Sequence, residues 1–167
     1  AYKKYEIGKS LKEENSEEIV GKIFGEAETN KCKILIPEDC LVSKSFEGDA
    51  ISKDIKSVEK DEIILDIGPK TVKIIEEIID NSSTIMWNGP AGYFESRNFA
   101  LGTNAIAQKI SENTKNKSLT SVLGGGDTVA AINKSGLDLS FTHLSTAGGA
   151  FLEYLEGKDL PGLSVLK

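Results

Sequence analysis

Apolar positions along the chain fall into short continuous runs, separated by stretches whose apolar residues recur at helical spacing. Ser16 to Asn30 reads as a helix: Ser16 can cap it, and Ile19, Val20, Ile23, Phe24 and Ala27 share one face. Asn30-Lys31 ends it, and Lys33-Ile34-Leu35-Ile36 predicts a short buried strand stopped by Pro37. The pattern over 40–60 is ambiguous; Leu41-Val42 and Ile51 to Val58 fit the strands of a small hairpin, with a turn at Gly48-Asp49. Ile63-Ile64-Leu65-Asp66 is a strong strand. Gly68-Pro69 opens a helix with proline in its first turn, and Val72, Ile75, Ile78 and Ile79 form its core face. Thr84 to Trp87 is the next strand, and Glu95 to Asn113 a long helix with Phe99, Ala100, Ile106 and Ile110 inward. Leu119 to Leu123 and Phe141 to Leu144 read as strands, and helices start at Thr128 (to Asn133) and Gly149 (to Leu155). Pro161-Gly162-Leu163-Ser164 reads as loop.

Strands alternating with helices predict an α/β fold: a doubly wound, mostly parallel sheet with helices on both faces, in three αβα layers. Continuous apolar runs fit strands covered on both sides. No repeat, low-complexity segment or Pro/Ser-rich linker divides the chain, which reads as one compact region. Residues 1–15 are polar and lead into a helix with no opening strand. An open parallel sheet usually begins with one, so the pattern predicts a piece of a longer protein.

Composition narrows the picture. The 167 residues, 39% apolar and 28% charged, suffice for one domain with a core. A net charge of −6 argues against nucleic acid and anionic membranes as partners. Cys32 and Cys40 make no disulfide framework and fit a reducing compartment; with one histidine, a closed zinc site is not expected. No apolar run reaches the roughly 20 residues that span a membrane, and no apolar signal segment follows Ala1–Glu6.

The informative punctuation lies after four strands: Asp66-Ile67-Gly68-Pro69, Asn88-Gly89-Pro90-Ala91-Gly92, Gly124-Gly125-Gly126-Asp127-Thr128, and Ser145-Thr146-Ala147-Gly148-Gly149-Ala150. In a parallel sheet these loops share the carboxyl edge, where open α/β sheets bind ligands. Glycine lets backbone N–H groups approach a ligand, and a helix start adds partial positive charge. Together they describe an anion site, most often for phosphate. One such loop is ordinary turn chemistry; four are harder to obtain from turns alone. A Walker A loop is rejected, because Gly8-Lys9-Ser10 has its ending but Lys3 stands where the first glycine belongs. The dinucleotide pattern begun by Gly124 and Gly126 fails at Val129, and the next strand offers no acid for a ribose. Asp127 reads either as an N-cap or as a carboxylate beside phosphates, which requires a cation between them; magnesium with a nucleotide supplies one. Thr128 offers a hydroxyl and an N–H to phosphate. Glu95 either complements a helix dipole or holds ribose hydroxyls. His143, alone at a strand end, reads as structural.

Three blocks, Met86-Trp87-Asn88-Gly89-Pro90-Ala91-Gly92-Tyr93-Phe94-Glu95, Gly124-Gly125-Gly126-Asp127-Thr128 and His143 to Glu153, resemble phosphoglycerate kinase. Tyr5 to Leu11, Leu65 to Thr71 and Leu155 to Gly162 support the likeness, which runs in order over essentially the whole chain. The resemblance implies two doubly wound domains with a cleft between them. The carboxyl-terminal one would bind Mg2+ with ATP or ADP, and the amino-terminal one 3-phosphoglycerate or 1,3-bisphosphoglycerate. Residues 1–167 would be a partial carboxyl-terminal nucleotide domain, with the substrate domain absent. The implied activity is that of a glycolytic phosphotransferase with a carboxyl group as acceptor, cytoplasmic and a monomer at full length. Glu95 would hold the ribose; Gly125, Gly126, Asp127 and Thr128 would meet phosphates, Asp127 also the metal. Asn88 would lie near the transferring phosphate, while Pro90, Gly92 and Tyr93 flank the nucleotide and Phe46 and Leu65 wall the adenine. Gly148 and Gly149, within Ala147–Ala150, would serve the phosphoryl group in transit. The chain departs from the family pattern at Ala147 and Ile64, where glycine is usual, and at Tyr93, commonly valine. A basic loop, a glycine loop and a catalytic arginine of the family have no counterpart here, so the piece alone is expected to be inactive. A non-catalytic nucleotide-binding module and a different α/β enzyme of phosphosugars are the competing readings.

Overall fold

The structure, a computed structural model, describes residues 3–14, 16–116 and 119–165. The chain runs α1 (Ser16–Thr29), β1 (Asp39–Ser43), β2 (Ile51–Asp54), β3 (Ile63–Ile67), α2 (Pro69–Asp80), β4 (Thr84–Asn88), a 3-10 turn (Arg97–Phe99), α3 (Leu101–Asn116), β5 (Thr120–Gly124), α4 (Gly126–Ser135), β6 (His143–Ser145), α5 (Gly149–Leu155) and α6 (Pro161–Ser164). The α/β class expected from the sequence is the one the chain adopts.

Its described strands divide between two three-stranded sheets. β1 is the middle strand of the first, antiparallel to β2 and β3, with register pairs Leu41↔Ser52 and Cys40↔Ile67. The hairpin of β1 and β2 is the one anticipated around Gly48. The second sheet is parallel, in the order β4-β5-β6. Its ladder pairs Thr84 with Thr120 and ends on one level, Asn88↔Gly124↔Ser145. The helices α2 and α3 lie side by side in the crossovers that lead to β4 and β5.

Three apolar clusters hold these layers. Ile79 of α2, Ile106 and Ile110 of α3 and Leu119 pack with Ile75, Ile85 and Trp87. Cys40, Val42 and Val58 form a second cluster, and Leu41, Leu65 and Phe99 a third, one from each face of β1. Every residue of β1 is buried, as befits a middle strand.

Several expectations change. α1 buries none of its residues, and Ile19 and Ile23 of its apolar face are half exposed. Lys33–Ile36 is not a strand: no described neighbour pairs with it, and Ile34 and Ile36 line a small apolar hollow with Val20 and Phe24 instead. Ile78 points out of the core face of α2, 43% exposed. The long helix begins at Leu101, so Glu95 lies in the turn before it. Residues 161–164 form a helical turn rather than a loop, with Pro161 at its start.

Candidate functional site

Two buried carboxylates fasten helices to strands around the site. Asp39 of β1 accepts N–H bonds from Lys70 (2.9 Å) and Thr71 (2.8 Å) and the Thr71 hydroxyl (2.7 Å), closing the first turn of α2 from outside. Burial raises the Asp39 pKa, but the Lys70 N–H, the Thr71 hydroxyl and N–H and the Lys70 charge outweigh it, so the net shift is below the usual value. Asp66 of β3 plays the same part for α3: its Oδ2 accepts the Gly102 N–H at 2.8 Å. Here burial wins over the N–H groups of Gly102, Ile67 and Leu101, and the carboxyl is pushed up to about 6.

The segment after β4 is pinned from three sides. Thr128, fully buried in α4, accepts the Gly89 N–H at 2.8 Å. Thr103 of α3 accepts from Ala91 (3.0 Å) and Gly92 (3.3 Å), and Tyr93 N–H reaches the Leu65 carbonyl at 2.7 Å. The Trp87 indole N–H donates to the Gly89 carbonyl at 2.6 Å. Gly125 precedes α4 with φ of +99°, and a Cβ there would stand 2.6 Å from Asn88 Oδ1. The Gly148 loop reaches the same place, since a Cβ on Gly148 would come within 3.2 Å of the Gly125 Cα.

The expected residues therefore gather in two adjoining groups. Phe46, Leu65, Pro90, Gly92 and Tyr93 all line one cavity of about 730 Å³, together with Ile64 and the segment Ile7–Leu11. That size suits a small-molecule ligand. The Phe46 and Tyr93 rings meet at its rim, centroids 5.1 Å apart and tilted by 58°. Asn88, Gly125 and Thr128 meet at the strand ends with Gly148 beside them. Gly126, Asp127 and Gly149 are exposed at helix starts next to them. Asp127 is the second residue of α4, and the cap position belongs to Gly125. Glu95 is exposed and does not line the cavity; its carbonyl takes the Lys134 ammonium at 2.7 Å, tying α4 to this turn. His143 is exposed on β6.

Sequence reasoning missed Asp39, Thr71 and Thr103, and read Asp66 only as the last residue of a strand and the first of the loop after it. The available signal was position: an acid within an apolar strand that the chain follows with a helix start.

The family model described as phosphoglycerate kinase matches residues 1–158. Phosphoglycerate kinase of Dictyoglomus turgidum is 48% identical over 165 residues, 98% of this chain and 41% of that protein. The enzyme of Chloroherpeton thalassium is 47% identical over 97% of this chain and 41% of its own length. The solved phosphoglycerate kinase of Coxiella burnetii superposes with a TM-score of 0.89 at 38% identity, over 99% of this chain and 42% of that one. That of Pyrococcus horikoshii gives 0.72 at 30%, over 99% and 41%. The chain thus spans about two fifths of the length of these relatives. Sequence and fold agree along nearly its whole length, and the chain belongs to the phosphoglycerate kinase family.

Proposed function

We propose that residues 1–167 are part of the carboxyl-terminal, nucleotide-binding domain of a two-domain phosphoglycerate kinase. The whole enzyme would pass the 1-phosphate of 1,3-bisphosphoglycerate to ADP in glycolysis. One convergence carries this reading: Phe46, Leu65, Pro90, Gly92 and Tyr93 share a cavity whose wall runs on through Gly89 to the strand ends at Asn88 and Gly125. Adenine fits the apolar cavity, and the phosphates fit the strand ends. Pro90, Gly92 and Tyr93 would flank the base, and Glu95, exposed in the turn that follows, would hold the ribose.

Among the described residues no three His, Cys, Asp or Glu side chains gather to hold a metal. A single exposed carboxylate suits Mg2+ that arrives on phosphate oxygens and keeps several waters, and Asp127 would hold it there. When bound, the cation neutralises phosphate charge. The N–H groups of Gly125, Gly126 and Thr128 donate to phosphate oxygens. Thr128, fully buried, holds the Gly89 N–H with its hydroxyl oxygen and so fixes the loop beside the phosphates. Gly148 and Gly149 offer N–H groups to the moving phosphoryl group. In the reaction an oxygen of the ADP β-phosphate attacks phosphorus and the bond to the carboxylate oxygen breaks. ATP forms and 3-phosphoglycerate leaves, with no covalent enzyme intermediate.

Positioned cations carry much of such catalysis, and losing one arginine can cost about 10³ to 10⁵ in rate. Arg97, the chain's only arginine, is exposed in the 3-10 turn. This chain alone is therefore expected to bind ADP weakly and transfer nothing. Calorimetry with Mg-ADP and coupled ATP formation test both halves. No binding at millimolar ADP sinks the nucleotide reading. Turnover that follows this mass and disappears with Asp127→Asn sinks the inactivity. In the complete protein, Asp127→Asn should cut turnover severely and barely move the thermal midpoint; near-wild-type turnover would leave Asp127 only a dipole partner of α4.

A further inference from the structure

This inference rests on the nucleotide reading above. Asp66 is 2% exposed at the end of β3. Among the described residues no cation balances it: burial pushes its pKa up to about 6 against three backbone N–H groups, and no charged side chain of theirs contributes. What packs on it is Leu41 opposite on β1, Gly92 from the cavity wall, and Leu101 and Gly102 at the start of α3. A buried, unpaired carboxylate is costly, and one kept in place asks for a role.

Its neighbours supply that role. A Cβ on Gly92 would overlap the Asp66 carboxylate, so the cavity wall rests directly on it. The same wall hangs by its amides from Thr103 of α3 and from the Leu65 carbonyl of β3. Asp66 joins those two supports, since it leaves β3 and holds the first turn of α3. We propose that Asp66 is a positioning residue for the nucleotide, locking the start of α3 to β3 and through both the Ala91–Tyr93 wall of the cavity. A protonated carboxyl puts a hydrogen where an N–H donor needs a lone pair. One of the three amides then loses its acceptor, and the wall loosens. Affinity for nucleotide should accordingly fall in mildly acid solution through a group that never touches the ligand.

The test uses this chain with Mg-ADP as probe, titrated by calorimetry from pH 5 to pH 8, beside Asp66→Asn and Thr103→Val. Protonation of ADP itself is common to all three, so the difference between profiles is the readout. Wild-type affinity should drop about tenfold more than that of Asp66→Asn between pH 7.5 and pH 5. Asp66→Asn should already be weak at pH 7.5. Thr103→Val should bind more weakly at every pH and keep the wild-type step. In the ligand-free wild type, the Gly102 amide resonance should titrate with a midpoint near pH 6, a measurement that needs no variant to fold. Parallel binding profiles for wild type and Asp66→Asn, or a Gly102 amide flat across this range, overturn the proposal. Absence of ADP binding in all three proteins overturns the nucleotide reading and this inference with it.

Discussion

Asp39 and Asp66 each close the first turn of a helix they do not belong to, yet they titrate in opposite directions. Asp39 has a lowered pKa, so its contribution to stability is present above the unfolded value of 3.8 and is lost as pH falls through its folded value. Asp39→Asn should be less stable than wild type at pH 7 in urea unfolding, with the gap closing below about pH 4. A gap that persists at pH 3 would mean packing, not charge, is what Asp39 supplies. Asp66 has a raised pKa. The folded chain holds its proton between about pH 4 and pH 6 while the unfolded chain does not, so stability falls as pH rises through that window. The shift from 3.8 to about 6 corresponds to roughly 3 kcal/mol. Between pH 7 and pH 4.5 the stability of wild type relative to Asp66→Asn should therefore rise by about 2 kcal/mol. A constant difference across that range would show the two forms equally well tolerated. Acid thus stabilises the fold at Asp66 while it slackens the cavity wall: the carboxylate is held charged at neutral pH for the site and against the fold.

Elements differ sharply in how much of the fold rests on them. Ile110 of α3 is 1% exposed in the cluster shared with α2, and Ile110→Ala should cost about 2–5 kcal/mol in denaturant unfolding. Ile23 of α1 is 51% exposed, and Ile23→Ala should cost less than about 1 kcal/mol. Equal losses would mean that α1 carries core weight after all. Gly92→Ala should destabilise by about 1–3 kcal/mol, because its Cβ has no room beside Asp66 and stands 2.5 Å from the Phe99 carbonyl. The same contrast explains what could be read beforehand. β3, β4 and β5 announce themselves as apolar runs, and α2 by Pro69 at its start. Lys33–Ile36 has the same kind of run, but hydrophobicity reports where side chains go, not whether a ladder partner exists. The start of α3 was misplaced because a 3-10 turn, not a cap residue, leads into it. At the site, the glycine punctuation and the family likeness led to the residues that gather at the cavity and the strand ends. Its supports, Asp39, Asp66, Thr71 and Thr103, escaped because a buried acid or hydroxyl acquires its meaning from amides more than 30 residues away, or about a dozen away for Thr103.

At the scale of the molecule, the common level of Asn88, Gly124 and Ser145 places three loops side by side without any one of them having to bend toward the others. The first sheet adds the cavity through Leu65 and Phe46, so the cavity lies where the two sheets meet. The parallel sheet leaves Met86 and Leu144 about half exposed. Paired Met86→Lys and Leu144→Lys changes should raise the solubility limit while moving the thermal midpoint little; a large fall in midpoint would show that the two side chains support the fold. The bond from the Trp87 indole to the Gly89 carbonyl has a practical consequence. Trp87 is the sole tryptophan, stationed where the strand gives way to the loop that leads into the cavity wall. The protein thus carries a built-in optical reporter: ultraviolet emission excited at the indole comes from this one place, with no label and no competing fluorophore of its kind. A shift in its colour or lifetime is a direct reading of whether that loop has moved.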